Sequence, residues 1–426
     1  MGHYKTIQIG LLGLGTVGTG VVKSLLSNQQ PISEQTGCLV AVKRALIRDV
    51  NKSRDIEIQP SLITTDGNDV VNDPEISIVI EVMGGIEPAK SLITKALLLK
   101  KHVITANKEL LAKHGDTLMA LAHEQGVRLM FEASVGGGIP IVHMVQSYLT
   151  ANRIFAIQGI LNGTCNYILT QMDEMGQSFS SALATAQALG YAEADPESDV
   201  EGFDAAYKLS ILANIAFPIY SSIQQVQREG ITKITAFDIA NAKELGAVIK
   251  LIGHATYQDG EVQLTVGPRM LPRSHSLASV RDVFNAVTVS ADVVGDLTFI
   301  GRGAGELPTA SAVIEDLVET LRTPKPQGRR QQIRDNGETQ KTSRTGVMMY
   351  YLRVWSQIVQ YSQDIILTDQ ISSHLRTEVL WRKSIKETSE IALVVKTEDI
   401  DAQIAFLNEK GFACALTLPF DGILEV

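Results

Sequence analysis

The stretch YAEADPESDVEGFDAAYKLSILA (191–213) gathers Glu193, Asp195, Glu197, Asp199, Glu201 and Asp204 just ahead of Lys208. Asp204 and Lys208 are four residues apart, so on a helix they share one face. The apolar run around them turns that face toward an interior, where an unpaired lysine is costly. A paired, partly buried lysine suits proton transfer to an oxygen on which negative charge develops. Lys108, in ANK (106–108), competes for that role. It follows a strand end and begins a helix, at the rim where open α/β sheets bind ligands. The plainer readings are a structural salt bridge for Lys208 and a surface lysine for Lys108. Asp195, Glu197 and Glu201 read as solvated or helix-starting acids. Cys165 in NGTCNYI has no histidine close behind it, and a small buried residue is the better reading than a nucleophile.

A second constellation lies near the N-terminus. Gly13-Leu14-Gly15-Thr16-Val17-Gly18 follows an apolar run and opens a helical pattern. Between a strand and a helix, this spacing is a dinucleotide fingerprint. The first glycine allows the tight turn, the second lets backbone approach pyrophosphate, and the third permits close helix–strand packing. The helix N-terminus offers free N–H groups to phosphate. The second strand ends in Lys43, Arg44 and Arg48, with Asp49 later. A cationic end suits the 2′-phosphate of NADP, with Arg44 as the named contact, whereas Asp49 would serve the ribose of NAD. Gly84 and Gly85 of EVMGG end another strand, where bare backbone could approach the cofactor.

These residues need elements to hold them. Apolar runs at 6–12, 38–47, 76–82, 101–106 and 127–133 read as strands, with helices at 16–27, 88–100 and 109–125 between them. That alternation implies a parallel sheet covered on both faces. Further on, helices are expected near 140–150, 164–174, 178–188 and 202–216, with β-rich runs at 153–160, 261–269 and 284–300. Residues 306–322 read as a helix. A polar, basic stretch at 323–346 reads as a linker. The last eighty residues read as a separate unit in the order βαββαβ: a strand at 348–355, a helix near 369–376, a hairpin of 378–385 and 390–397, a helix at 399–410 and a strand at 412–418.

Composition sets limits. The chain has 426 residues and a net charge of −9, which argues against nucleic acid or an anionic membrane as partner. Its three cysteines form no metal-binding pattern, so a reducing, cytoplasmic setting is expected. MGHYKTIQIGLLG reads as a first strand and not as a signal peptide. No apolar run is long enough to span a membrane.

With GLGTVG, TANK, FEASVGGGIP, LNGTCNYIL, GYAEADPESDVEGFDAAYKLSILA and GAGELPTASAV in order, the sequence resembles homoserine dehydrogenases over about residues 5–322. The C-terminal unit resembles the ACT domain that many of these enzymes carry. The resemblance implies an α/β protein: a Rossmann-type domain (1–135 plus about 305–322), an α+β substrate and dimerisation domain (136–304) and an ACT-like module (347–426). It implies NAD(P)-dependent interconversion of L-homoserine and L-aspartate 4-semialdehyde, on the way to threonine and methionine, by a homodimer or homotetramer. It implies Lys208 as proton donor, Lys108 in the same site, and Glu193 and Asp204 on the amino-acid substrate, with Asp199 in support. Gly190 and Gly305 match positions that contact the cofactor. Glu132 with the carbonyls of Val135, Gly137 and Ile139 would hold sodium, and the other reading of that stretch is a hinge without metal. ACT domains usually open with a strand followed by an acid, Pro and Gly, but residues 351–375 contain neither proline nor glycine. That departure speaks against feedback by an amino acid and leaves subunit contacts through the sheet edges as the other role for the module. The rival classes are an amino-acid sensor that has lost catalysis and a different NADP-dependent semialdehyde or hydroxy-acid dehydrogenase.

Overall fold

The computed structural model describes residues 5–52, 54–323, 347–356, 375, 377–385, 390–409 and 412–421. All but Thr323 of the expected linker, and almost all of the helix near 369–376, lie outside the described residues.

The N-terminal part is a six-stranded parallel sheet. Its strands are β1 (Lys5–Leu12), β2 (Cys38–Leu46), β3 (Ile63–Thr64), β4 (Ile76–Glu81), β5 (His102–Thr105) and β6 (Leu129–Met130). Their spatial order is β3-β2-β1-β4-β5-β6, the doubly wound order that leaves a crevice where the strand order reverses between β1 and β4. The helices are α1 (Thr16–Ser27), α2 (Gln29–Thr36), α3 (Gly67–Val71), α4 (Ala89–Leu98) and α5 (Lys108–Gln125). Strand interiors such as Ile9, Leu11, Ile78 and Ile80 are buried, as parallel strands covered on both faces must be. The strand expected over 127–133 is cut short at Met130. Phe131 leaves extended geometry, and the Glu132 N–H donates to Asp316 Oδ2 at 2.8 Å instead of to a neighbouring strand.

The chain then crosses through α6 (Ile141–His143) into β7 (Ile154–Ile160), α7 (Gly163–Met175), α8 (Phe179–Ala188), α9 (Glu197–Val200) and α10 (Phe203–Ala216). The helix expected at 140–150 is broken into short turns of different pitch. Next come β8 (Gln227–Arg228), α11 (Ala236–Glu244), β9 (Ala247–Gln258), β10 (Glu261–Pro272), β11 (Phe284–Ala291) and β12 (Gly295–Arg302). The expected run at 284–300 is the antiparallel hairpin of β11 and β12. Helix α12 (Glu306–Arg322) returns to the first sheet, where Ala310, Val313 and Leu317 pack with Ile9, Leu11 and Val21.

The C-terminal elements are β13 (Met348–Ser356), β14 (Glu378–Ile385), β15 (Glu390–Thr397), α13 (Ile400–Glu409) and β16 (Phe412–Phe420). They do not form a detached unit. One ten-stranded sheet runs β12-β11-β7-β9-β10-β16-β13-β15-β14, with β8 beside β10. Met270 of β10 pairs with Phe420 of β16. Asp238, which is fully buried on α11, accepts the Tyr351 hydroxyl at 2.9 Å and pairs with Arg353 at 3.2 Å. Arg269 pairs with Asp421 at 2.8 Å. Ends that share a sheet and a buried ion pair belong to one packed body, whatever the polarity of the segment between them.

Candidate functional site

The first half of the site is the crevice at the carboxyl ends of β1, β4 and β5. Gly13 turns the chain out of β1 with φ of 104°, a conformation that side-chain-bearing residues rarely adopt. A Cβ on Gly18 would lie within 2.3 Å of the Gly13 carbonyl oxygen, so α1 can pack here only without one. Gly15 and Thr16 are exposed at the lip, and the N–H groups of Thr16, Val17 and Gly18 open the helix facing the crevice. Glycines 84 and 85 form the turn after β4. Gly305 precedes α12, whose first residue, Glu306, pairs with Lys23 of α1 at 2.9 Å. The GRGAG loop is thereby brought beside the first glycine loop.

The basic lip differs from the sequence expectation. Arg44 stands opposite Gly10, inside β2 and short of its end, and its guanidinium donates to the Ser61 carbonyl at 3.4 Å. Lys43 pairs with Asp73 at 3.6 Å and with Glu75. The cations at the lip are Arg48, which is exposed, and Arg54, which the sequence reading missed. Arg54 Nε donates to the Leu14 carbonyl at 3.1 Å, and a second guanidinium nitrogen donates to the Asp49 carbonyl at 3.0 Å. It ties the glycine loop to the end of β2. The Asp49 carboxylate accepts the Asn51 N–H at 2.8 Å.

The second half of the site centres on Asp204, in the first turn of α10. It is 2% exposed. Lys208 Nζ donates to its Oδ2 at 2.7 Å, and Lys108 Nζ lies 2.5 Å from its Oδ1. One carboxylate thus stands between two ammoniums from different parts of the chain. Burial opposes its charge, but Lys208 and Lys108 outweigh burial and hold the carboxyl well below the usual carboxylate range. Burial pulls the Lys208 ammonium below the ordinary lysine value, against the attraction of Asp204. Asp204 pulls Lys108 the other way, upward, with burial opposing and Asp199 and Glu193 assisting. The Lys108 side chain is 42% exposed, and the residue stands at the start of α5, just after β5.

Two asparagines hold this centre, and the sequence reading named neither. Asn162 caps α7 through the Cys165 N–H and donates to Asp199 Oδ1 at 2.7 Å and Asp204 Oδ2 at 2.8 Å. Burial and the charge of Asp204 raise the Asp199 carboxyl above its ordinary value. Asn285 donates to the Leu161 carbonyl at 3.0 Å, the same oxygen that accepts Lys208 Nζ at 2.8 Å. An asparagine ahead of a helix in LNGTC is a capping signal, so Asn162 was within reach of sequence. Asn285 has no local signature. Glu193 and Gly190 are exposed on the loop after α8, where Tyr191 accepts the Thr164 hydroxyl at 2.7 Å through its carbonyl. The Cys165 thiol is pushed up by burial and then by the charge of Asp199, and it faces the Asp199 carbonyl at 3.1 Å, a poor setting for a nucleophile.

Between the halves, Glu132 is buried. Its two oxygens accept the N–H groups of Val142 and His143 at 2.8 and 2.6 Å. Burial raises its carboxyl to about 7. Asp316 lies beside it and is also raised by burial and by Glu132. Among the described residues no cluster of three His, Cys, Asp or Glu could hold a metal, so a cation here would draw on Glu132 and on carbonyls. Glu132 has no ammonium partner among the described residues, and a buried carboxylate beside the carbonyls of Val135, Gly137 and Ile139 is a donor set of the kind a hard monovalent ion takes.

The doubly wound sheet, the glycine loop and the buried lysine–carboxylate–lysine centre together define an NAD(P)-dependent oxidoreductase acting on a CH–OH group. Residues 13–132 match the family model "Homoserine dehydrogenase, NAD binding domain", and residues 140–318 match "Homoserine dehydrogenase". A homoserine dehydrogenase of Bacillus subtilis is 45% identical over 318 residues, covering 75% of this chain and 73% of the relative. One from Synechocystis is 47% identical over 322 residues, covering 74% and 73%. The solved homoserine dehydrogenase of Thiobacillus denitrificans superposes with a TM-score of 0.87 at 38% identity, over 98% of both chains. A hyperthermophilic archaeal homoserine dehydrogenase in complex with NADPH superposes with a TM-score of 0.64 at 26% identity, over 75% of this chain and 99% of that one. The chain belongs to the homoserine dehydrogenase family.

Proposed function

We propose that the chain interconverts L-homoserine and L-aspartate 4-semialdehyde, in the route to threonine and methionine, with NADP preferred over NAD. The observation that carries the reading is Asp204 set between Lys208 and Lys108 beside the dinucleotide crevice. A dinucleotide held by the glycine loop at Gly13, Gly15 and Gly18 would supply or take up the hydride at the substrate's terminal carbon. When the aldehyde is reduced, protonated Lys208 gives its proton to the oxygen as charge develops there. When the alcohol is oxidised, neutral Lys208 takes the hydroxyl proton. Burial favours the neutral lysine and Asp204 the charged one, so both forms stay within reach. Lys108, kept charged by Asp204, faces the same oxygen and stabilises its charge. Asp204 is already engaged by both lysines and Asn162, so its first task is to order them. Glu193, with Asp199 in support, would then accept the substrate's α-ammonium.

Arg48 and Arg54 at the lip support NADP, as does the NADPH bound by the archaeal relative. Glu132 with the carbonyls of Val135, Gly137 and Ile139 would hold sodium, fixing the crossover between the sheets. The strand order β16-β13-β15-β14, with α13 before β16, supports an ACT-like module. Tyr148, Phe155, Val293 and Ile300 are exposed apolar side chains and support a homodimer, or a tetramer built from it; a cytoplasmic setting is part of the same reading. The direct test follows the absorbance of reduced nicotinamide with L-homoserine and each cofactor. Turnover favouring NADP is expected, and no turnover with either cofactor would refute the reading.

A further inference from the structure

A fully buried acid that the chemistry above does not use stands at the end of β4. Glu81 is 0% exposed, and among the described residues it has no ion-pair partner. Its bonds reach both sides of the crevice. Oε1 accepts the N–H groups of Met83 at 2.7 Å and Gly84 at 3.4 Å, which open the glycine turn. Oε2 accepts the Thr105 hydroxyl at 2.6 Å, at the end of β5. Thr105 Oγ1 in turn accepts the Asn107 N–H at 3.0 Å. Asn107 closes the ring by donating to the Gly85 carbonyl at 2.6 Å, and it caps α5 by accepting the Leu110 N–H at 3.1 Å. The next residue after this cap is Lys108, which reaches Asp204.

A carboxylate buried in this way is costly unless its geometry is used. Packing alone would be met by a leucine or methionine. The end of β2 receives the adenosine ribose in this fold, so the other half of the dinucleotide extends over β4 and β5. That is where Glu81 organises backbone. We propose that Glu81 is a positioning residue for the reaction. Through Met83 and Gly84 on one side, and Thr105 and Asn107 on the other, it sets the glycine turn against the start of α5, so that the nicotinamide end of the cofactor and Lys108 meet at a fixed spacing. The inference rests on the reaction proposed above.

Thr105→Val, Thr105→Ser and Glu81→Gln in the full chain test it. The valine variant cuts the link between the acid and the helix start with little change of shape. It should lower kcat about tenfold and weaken NADPH binding several-fold, the scale of one lost buried hydrogen bond. With Lys108 loosened from Asp204, the repulsion that lowers Lys208 weakens. Lys208 must be neutral to take the hydroxyl proton, so the acidic limb of the kcat/KM profile for homoserine should move to higher pH. Thr105→Ser should restore rate, affinity and profile to within about twofold. Glu81→Gln should act in the direction of the valine change. Wild-type constants in the valine and glutamine variants would overturn the proposal. So would rate losses that track only a falling melting temperature, with the pH profile unmoved. If the valine variant fails to fold, the serine and glutamine variants decide by the same criteria. If the wild type does not turn over homoserine, the reaction reading fails, and NADPH affinity across the variants still decides the positioning role.

Discussion

The crevice that receives the dinucleotide is made mostly of backbone, and the centre that faces the substrate is made mostly of buried side chains. Gly13, Gly15 and Gly18 act by leaving space, and α1 acts through its first N–H groups. A short local run of sequence is enough to specify that. Around Asp204 the contributing segments are far apart: Lys108 opens α5, Asn162 caps α7, Leu161 lends a carbonyl, and Asn285 comes from β11. Charges that are desolvated together depend on each other far more steeply than exposed phosphate contacts do. The two regions should therefore fail differently under substitution.

The sharpest contrast is expected from Asp204→Asn. It removes the charge that holds both lysines, and kcat/KM for homoserine should fall by roughly a thousandfold, while NADPH affinity changes little. A parallel loss of NADPH binding, read by fluorescence titration, would mean that the two regions are not separable. Arg48→Ala addresses the other region. It should weaken NADPH about tenfold and NADH hardly at all, as expected for one exposed contact to the 2′-phosphate. Equal effects on the two cofactors would remove Arg48 from that role.

The smallest effect belongs to the turn between the regions. Burial raises Glu132 to about 7, so in the absence of a cation its contribution favours the protonated form. That stability is fully present below the ordinary glutamate value and is lost as pH rises through about 7. A bound sodium ion would replace the lost proton. The gain in melting temperature from sodium chloride over choline chloride should then grow above pH 7 and vanish in Glu132→Gln. The same gain at every pH would argue against a site built on Glu132.

Legibility in the sequence follows the same division. The parallel sheet could be read because its strands alternate with helices and its glycine loop is local. Thr16–Ser27 and Lys108–Gln125 form helices nearly where their patterns place them. Strand β9 escaped notice because AVIKLIG is a continuous apolar run with a buried Lys250 inside it, without the alternation that marks a half-exposed strand. The second strand was expected over 38–47 and runs to Leu46, but which of Lys43, Arg44 and Arg48 stands nearest its end as a free cation depends on the partners the fold gives Lys43 and Arg44. The acids of 191–204 could be listed from sequence but not ranked. Only the fold separates Asp204, buried between two lysines, from Asp195 and Glu197, which are exposed. The C-terminal strands were recognisable one by one. Their fusion to β10 was not, since it depends on Tyr351 and Arg353 meeting Asp238, more than a hundred residues away.

Lys208 is the residue on which the whole account turns, and its alanine variant is the most direct test. With L-homoserine and NADP at saturation, Lys208→Ala should lower kcat by roughly two orders of magnitude or more, with NADPH affinity intact. Turnover close to that of the wild type would show that the proton moves by another route.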